Sequence, residues 1–182
     1  NLLLLVCIMM MMIISVYGDP TPTTFSEYQL TFLDSGKVNV TYYIDATNEN
    51  YSFKPPVGYR VYIQNDDKEF LYMYDPSESD CLKYIRDKNF EYDLLKEIVD
   101  HVTGYQSDGL CVGSKSTYCH IYDMKSPQDS TPMLYYAMKD TNYPFALYDV
   151  VSDTVAVTFT DFVPRVNKTE TLLPISKDLC HS

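Results

Sequence analysis

Hydrophobic positions recur every second residue over much of the chain. Tyr28, Leu30 and Phe32 alternate with Gln29 and Thr31, and Val38, Val40, Tyr42 and Ile44 alternate with Asn39, Thr41 and Tyr43. A period of two marks strands with one wet face. Ser35-Gly36-Lys37 joins these two as a hairpin turn. Thr47–Pro56 is polar, ends in Pro55-Pro56, and reads as a connector. Tyr59, Val61 and Ile63 then alternate with Arg60, Tyr62 and Gln64, ahead of a turn at Asn65-Asp66-Asp67. The next arm, Phe70–Tyr74, breaks the alternation by being apolar or aromatic throughout. Such a strand is covered on both faces, or turns one face to an apolar cavity. Met133–Met138 is a second run of this kind. Further strands are expected at Cys81–Ile85, Thr117–Asp123, Phe145–Val151 and Val155–Val163. In the last of these Phe162 points away from Val155, Val157 and Phe159 unless a bulge shifts the register after Phe159.

The period changes once. Tyr92, Leu95, Ile98, Val99 and Val102 form a helical stripe opposite Asp93, Lys96, Glu97 and Asp100, with Gly104 as the expected stop. Eight or nine strands at spacings of ~8–12 residues around one amphipathic helix predict a mainly β fold. The expected form is a twisted antiparallel sheet or open barrel with the helix against it. With 18 tyrosines and eight phenylalanines, aromatic rings must line much of its interior.

Three features fix the compartment. Leu2–Val16 is almost unbroken apolar sequence, shorter than the ~20 residues a spanning helix needs. Val16-Tyr17-Gly18 supplies small or apolar residues for a cut after Gly18. Residues 1–18 therefore read as a signal peptide, N-terminally truncated because Asn1 is not methionine and no basic segment precedes the apolar run. Residues 19–27 read as a flexible leader and 28–182 as a single β domain, secreted and without a membrane span. The net charge of −11 lies wholly beyond residue 18, which argues against nucleic acid and anionic membrane as partners. Cys7 leaves with the signal, so four cysteines remain, an even number suited to two disulfides. Of the three pairings, Cys111–Cys119 is favoured as a local closure and Cys81–Cys180 as a long-range staple. Asn39, Asn50 and Asn167 open N-x-[ST] sequons and are candidate glycan acceptors.

Catalytic constellations are poor. His101 falls at the helix C-terminus, where an imidazole meets the dipole favourably. His120 lies in a strand and His181 in the tail. Gly113-Ser-Lys-Ser-Thr117 echoes a phosphate loop, but the upstream glycine spacing fails. Asp66, Asp67 and Glu69, or Asp75, Glu78 and Asp80, could hold Ca2+, yet neither set fits the calcium-loop pattern. No catalytic residue, metal ligand or cofactor is expected. Binding remains: the two apolar strands suit an adaptable Tyr/Met-lined pocket. The expected lining is Phe70, Tyr72, Tyr74, Leu134, Tyr136 and Met138, faced by Tyr42 and Val61.

The order of an aromatic strand, Asp80-Cys81-Leu82-Lys83, an amphipathic helix, Phe159-x-x-Phe162, Pro164, Leu173-Pro174 and Cys180 resembles the ependymin-related and LolA-like group of secreted animal proteins. The resemblance spans Gly58–Cys180. It implies a strongly curved antiparallel half-barrel with a deep hydrophobic cavity, pairing of Cys81 with Cys180, and a non-enzymatic glycoprotein that binds a lipid or other hydrophobic small molecule. Calcium binding in some members finds no matching ligands here. The alternative is a secreted effector or antagonist with a filled core, engaging an extracellular protein through acidic, tyrosine-rich loops.

Overall fold

The computed structural model describes residues 19–34, 38–87 and 91–182. The segment read as a signal peptide and the expected turn at Ser35–Lys37 lie outside the described residues. Six strands come first: β1 (Glu27–Asp34), β2 (Asn39–Asp45), β3 (Asn50–Lys54), β4 (Arg60–Gln64), β5 (Asp67–Asp75) and β6 (Asp80–Ile85). One helix, α1 (Leu94–Asp100), follows. Five more strands complete the chain: β7 (Val102–Leu110), β8 (Tyr118–Lys125), β9 (Pro132–Met138), β10 (Pro144–Asp149) and β11 (Thr154–Val163). All eleven belong to one antiparallel sheet of order β6-β5-β4-β3-β2-β1-β11-β10-β9-β8-β7. Two meanders thus meet where β1 pairs with β11. The sheet stays open between β6 and β7, and α1 lies in the crossover joining those two edges.

Two strands exceed expectation. β3 occupies the segment read as a connector; Tyr51 and Phe53 alternate with buried Ser52, a pattern hidden by polar and proline-rich flanks. β7 is polar because it is an edge strand with one hydrogen-bonded neighbour, and two register shifts against β8 interrupt its pairing. Gly104 lies inside β7, not past a helix end. The helix is correspondingly shorter than its apolar stripe: Asp93 caps its start, His101 its end, and Val102 opens β7. The bulge on which Phe162 depended is present. Thr31 pairs with Asp161 while Phe32 pairs with Phe159, so Thr160 is extra and both phenylalanines pack into the main core.

That core lies on one face of the sheet, called here the core face. Tyr28, Leu30, Ile44, Ile63, Tyr122 and Tyr135 pack there with Leu95 and Ile98 of α1. A tyrosine ties helix to sheet: the Tyr28 hydroxyl donates to Asp93 Oδ1 at 2.7 Å and accepts the Leu95 N–H at 3.0 Å. Asp93 Oδ1 also accepts the Lys96 N–H at 3.1 Å, so the first turn of α1 is satisfied by a side chain itself anchored in β1. At the other end the His101 ring meets the Glu97 carbonyl at 2.8 Å, the helix-end role its position predicted.

Candidate functional site

Both expected disulfides are formed, Cys81–Cys180 and Cys111–Cys119. They matter because each ties down a cover over the far face of the sheet. In β4 and β5, Tyr62 pairs with Tyr72 and points away from the core. Tyr62 and Tyr72 are buried there with Phe70 and Tyr74 under Leu173, Ile175 and the Cys81–Cys180 bridge. The tail continues as a strand-like partner to β6: Lys83 N–H donates to the His181 carbonyl at 2.8 Å, and His181 N–H to the Cys81 carbonyl at 3.0 Å. Arg60 fixes the same tail further along. Its guanidinium lies over the Tyr43 and Tyr62 rings and donates to Ser52 Oγ, the Glu170 carbonyl and the Glu170 carboxylate. Asp67 accepts from the Tyr72 hydroxyl, and burial with that contact pushes this phenol well up.

The second apolar strand is covered differently. Leu134 and Tyr136 pack on the far face with Ala146, Phe145 and the local Cys111–Cys119 bridge. Met138 pairs with Cys119 on that face. The eight expected cavity residues are therefore not brought together. Phe70, Tyr72 and Tyr74 sit under the tail, and Leu134, Tyr136 and Met138 sit in the other meander. Only Tyr42 and Val61 face the main core.

Those two belong to a tract that was not anticipated from sequence. Register places Leu30, Tyr42, Phe53, Val61 and Met73 in one row across β1 to β5. The adjacent row is Tyr28, Ile44, Tyr51, Ile63 and Leu71. In that adjacent row every member but Leu71 is buried. In the first, only Leu30 is buried; the other four, with Phe32 and Val40 beside them, are partly buried, and Phe32, Tyr42 and Phe53 pack against the main core. A two-turn helix does not cover the core face of so wide a sheet. The signal for this row was available in part, since Tyr42 and Val61 were read as inward, but Phe53 was lost with the unrecognised β3.

Beside the buried row opens a cavity of about 650 Å3 lined by Glu49, Tyr51, Lys68, Arg86, Glu91, Tyr92, Asp93 and Lys96, with Ala46. Lys68 pairs with Glu49 at 2.8 Å, and Lys96 with Glu91 at 2.8 Å and Asp100 at 2.7 Å. The Arg86 guanidinium lies 4.7 Å from the Tyr92 ring centre. Burial raises the Asp93 carboxyl above the usual carboxylate range, against the hydrogen bonds it accepts.

No protein-family model matches the chain. No curated relative matches it either. A solved structure does: an uncharacterized conserved protein from Thermus thermophilus superposes with a TM-score of 0.56 at 9% identity, covering 86% of this chain and 90% of that chain. At that identity the likeness shows the fold alone, a mainly β sheet with a single helix.

The remaining candidates are structural in their contacts. Asp108 accepts from Tyr105 at 2.8 Å and contacts His120 at 2.6 Å and Lys139 at 2.5 Å, which holds its carboxyl well below the usual range. The acidic turns are engaged locally: Asp75 accepts from Ser77, Asp80 from Tyr59, and Asp66 pairs with Lys177. Among the described residues no group of three or more His, Cys, Asp or Glu is placed to hold a metal ion. No described helix is long and apolar enough to cross a membrane. Asn39 and Asn167 are exposed, while Asn50 is half-buried and its side chain accepts the Asn65 N–H at 3.0 Å.

Proposed function

We propose that this chain is a secreted, N-glycosylated, non-enzymatic binder of a hydrophobic, lipid-like ligand, in keeping with its resemblance to the ependymin-related and LolA-like group. The observation that carries the reading is the only partly buried row Tyr42, Phe53, Val61 and Met73, flanked by Phe32 and Val40, on the core face of an open sheet. Contiguous aromatic and aliphatic surface of this kind gains free energy when an acyl chain covers it, about 25 cal/mol per Å2 of apolar area removed from water. The ligand lies along this row, with the sheet curving around it as a half-barrel. Two disulfides support the oxidising compartment such a role requires. The far-face aromatics are packing residues in this reading.

The test is titration with a fluorescent fatty acid. Val61→Asp and Phe53→Ser should each weaken binding about tenfold or more, the scale set by one buried apolar side chain. Tyr74→Ser, under the tail, should leave the affinity unchanged. Absence of fatty-acid binding, or equal loss in the Tyr74 variant, would overturn the assignment.

A further inference from the structure

The far face carries an opening of its own. It lies between the β3–β4 loop, the β5–β6 turn and the returning tail, holds about 650 Å3, and has Arg60, Tyr62, Tyr74 and Glu170 in its lining. Tyr62 is only 4% exposed, and its hydroxyl bonds to no other described residue. Buried hydroxyls are paired as a rule, so one left alone at an opening calls for a partner from outside. The Tyr74 hydroxyl is also without a partner among the described residues. The Arg60 guanidinium covers one face of the Tyr62 ring, 5.2 Å from its centre. What Tyr62 offers the opening is therefore its polar edge.

The Arg60–Glu170 pair keeps capacity for a ligand. Arg60 commits Nε to Ser52, Nη2 to Ser52 and the Glu170 carbonyl, and one Nη1 N–H to Glu170 Oε2. A guanidinium has five N–H groups, so one on Nη1 is left over. Glu170 Oε1 accepts from no described residue, and its side chain is 37% exposed. The fixed pair thus presents a donor beside an acceptor. Two neighbouring hydroxyls of one ligand satisfy both, because a hydroxyl donates and accepts. Charge gives the same answer. Lys54 and Arg60 are the cations of the lining and Asp75 and Glu170 its anions, so neither sign of ligand is favoured. Pro55, Pro56, Pro76 and Pro174 add C–H surface on a rim whose φ angles are fixed, which lowers the ordering cost of binding. The volume falls in the range of small-ligand sites, roughly 300–1,000 Å3.

We propose that this opening binds a neutral sugar, with vicinal hydroxyls on Arg60 and Glu170, a further hydroxyl on Tyr62, and its C–H face against the proline rim. The site lies on the opposite face from the apolar row and stands or falls separately from fatty-acid binding. Two sources carry the same chemistry. Asn167 opens a sequon two residues before Thr169 of the lining, so the sugar is either the chain's own glycan or a separate one.

Calorimetric titration of the intact secreted protein and of its Asn167→Gln variant with maltose, lactose and N,N′-diacetylchitobiose tests this. At least one sugar should bind. Tyr62→Phe, which removes only the unpaired hydroxyl, should weaken that binding about three- to tenfold, the worth of one hydrogen bond, without lowering the unfolding temperature. Binding confined to the Asn167→Gln form supports the chain's own glycan as the occupant; equal binding by both forms supports a separate sugar. Absence of binding by either form overturns the site. So does an affinity indifferent to Tyr62→Phe, or an unfolding temperature lowered by it, which would mean that the hydroxyl serves the fold. Tighter binding of glucuronate or of hexaproline than of all three sugars overturns the neutral-sugar assignment in favour of an anion or a proline-rich peptide.

Discussion

β5 and β9 carry the same sequence signature, a strand apolar at every position, and the fold treats them differently. The far side of β5 is roofed by a tail that returns from almost a hundred residues away, with Leu173 and Ile175 over Tyr62 and Tyr72 and a bridge of sequence separation 99. The far side of β9 is closed by a loop whose bridge spans a separation of 8. In both cases apolarity on the second face reports a cover, and beside the tail an opening of about 650 Å3 remains, lined by Arg60, Tyr62, Tyr74, Glu170 and Pro174. The partly buried apolar row lies on the other face, mostly in strands that alternate normally, and ends on Met73 of β5 itself. An unalternating strand therefore locates a second layer.

The sharpest way to break the comparison is to cut each staple. In the chain-entropy view a bridge stabilises by restricting the unfolded chain, more for a longer loop. Replacing Cys81 and Cys180 with serine should cost about 4–5 kcal/mol, against about 2–3 kcal/mol for Cys111 and Cys119. Guanidinium unfolding of the two double variants measures both. Only the first should also release the tail, seen as new binding of a dye that reports exposed apolar surface around Phe70 and Tyr72. Equal losses from the two would mean that the tail is held mainly by its other contacts.

Those contacts give the next largest effect. Arg60 has a side chain 14% exposed, sits over two tyrosine rings, and pairs with Glu170 at 2.6 Å. Arg60→Met should cost about 1–2 kcal/mol, because Ser52 and Glu170 lose a charge-assisted partner while the Glu170 carboxylate, 37% exposed, stays solvated. The double variant Arg60→Met, Glu170→Gln should recover part of that loss. Coupling to the cysteine replacement is expected, since both anchor the same tail. Strict additivity in a double-mutant cycle would show two independent anchors.

Much of this was legible in the sequence, and the misses have physical causes. Alternation located the strands of both meanders, and the helical stripe located α1, because one-sided burial leaves a period in the chain. β3 and β7 escaped for opposite reasons. β3 is a central strand whose burial rests partly on polar residues, Ser52 and its partner Arg60, that give no hydrophobic signal. β7 is an edge whose side chains face water and whose two bulges spoil any period. The cysteine pairing was readable from spacing and compartment. The misplaced site residues were a failure of parity: the choice of Phe70, Tyr72 and Tyr74 over Leu71 and Met73 as the inward set cannot be made within a strand apolar at both. Pairing with β4 decides it, since Ile63 is opposite Leu71 and Val61 opposite Met73.

The smallest effects distinguish the two halves by the sign of a pH dependence. Asp93, beneath α1 and hydrogen-bonded to Tyr28, has its carboxyl raised by burial. The folded state therefore binds this proton more tightly than the unfolded chain, and stability falls as pH rises from the unfolded value, near 4, to the raised folded one. Asp93→Asn keeps an oxygen able to accept from Tyr28 and from the Lys96 N–H, and asparagine is a good cap. This variant should match the parent in acid and equal or exceed it at neutral pH. Asp108, bridging β7 to His120 and Lys139, is depressed by the hydrogen bonds it accepts from Lys139, His120 and Tyr105. Its contribution is complete above the unfolded value and is lost as pH falls toward the folded one. Asp108→Asn should therefore weaken the protein at neutral pH and converge with the parent in acid, with a small amplitude because the group is largely exposed and screened. Stability curves between pH 2 and 8 for the two variants should diverge from the parent in opposite directions as pH rises. A shared direction would mean that the Tyr28 and Lys96 contacts outweigh burial at Asp93, and that the helix is held to β1 by a carboxylate that is ionised throughout.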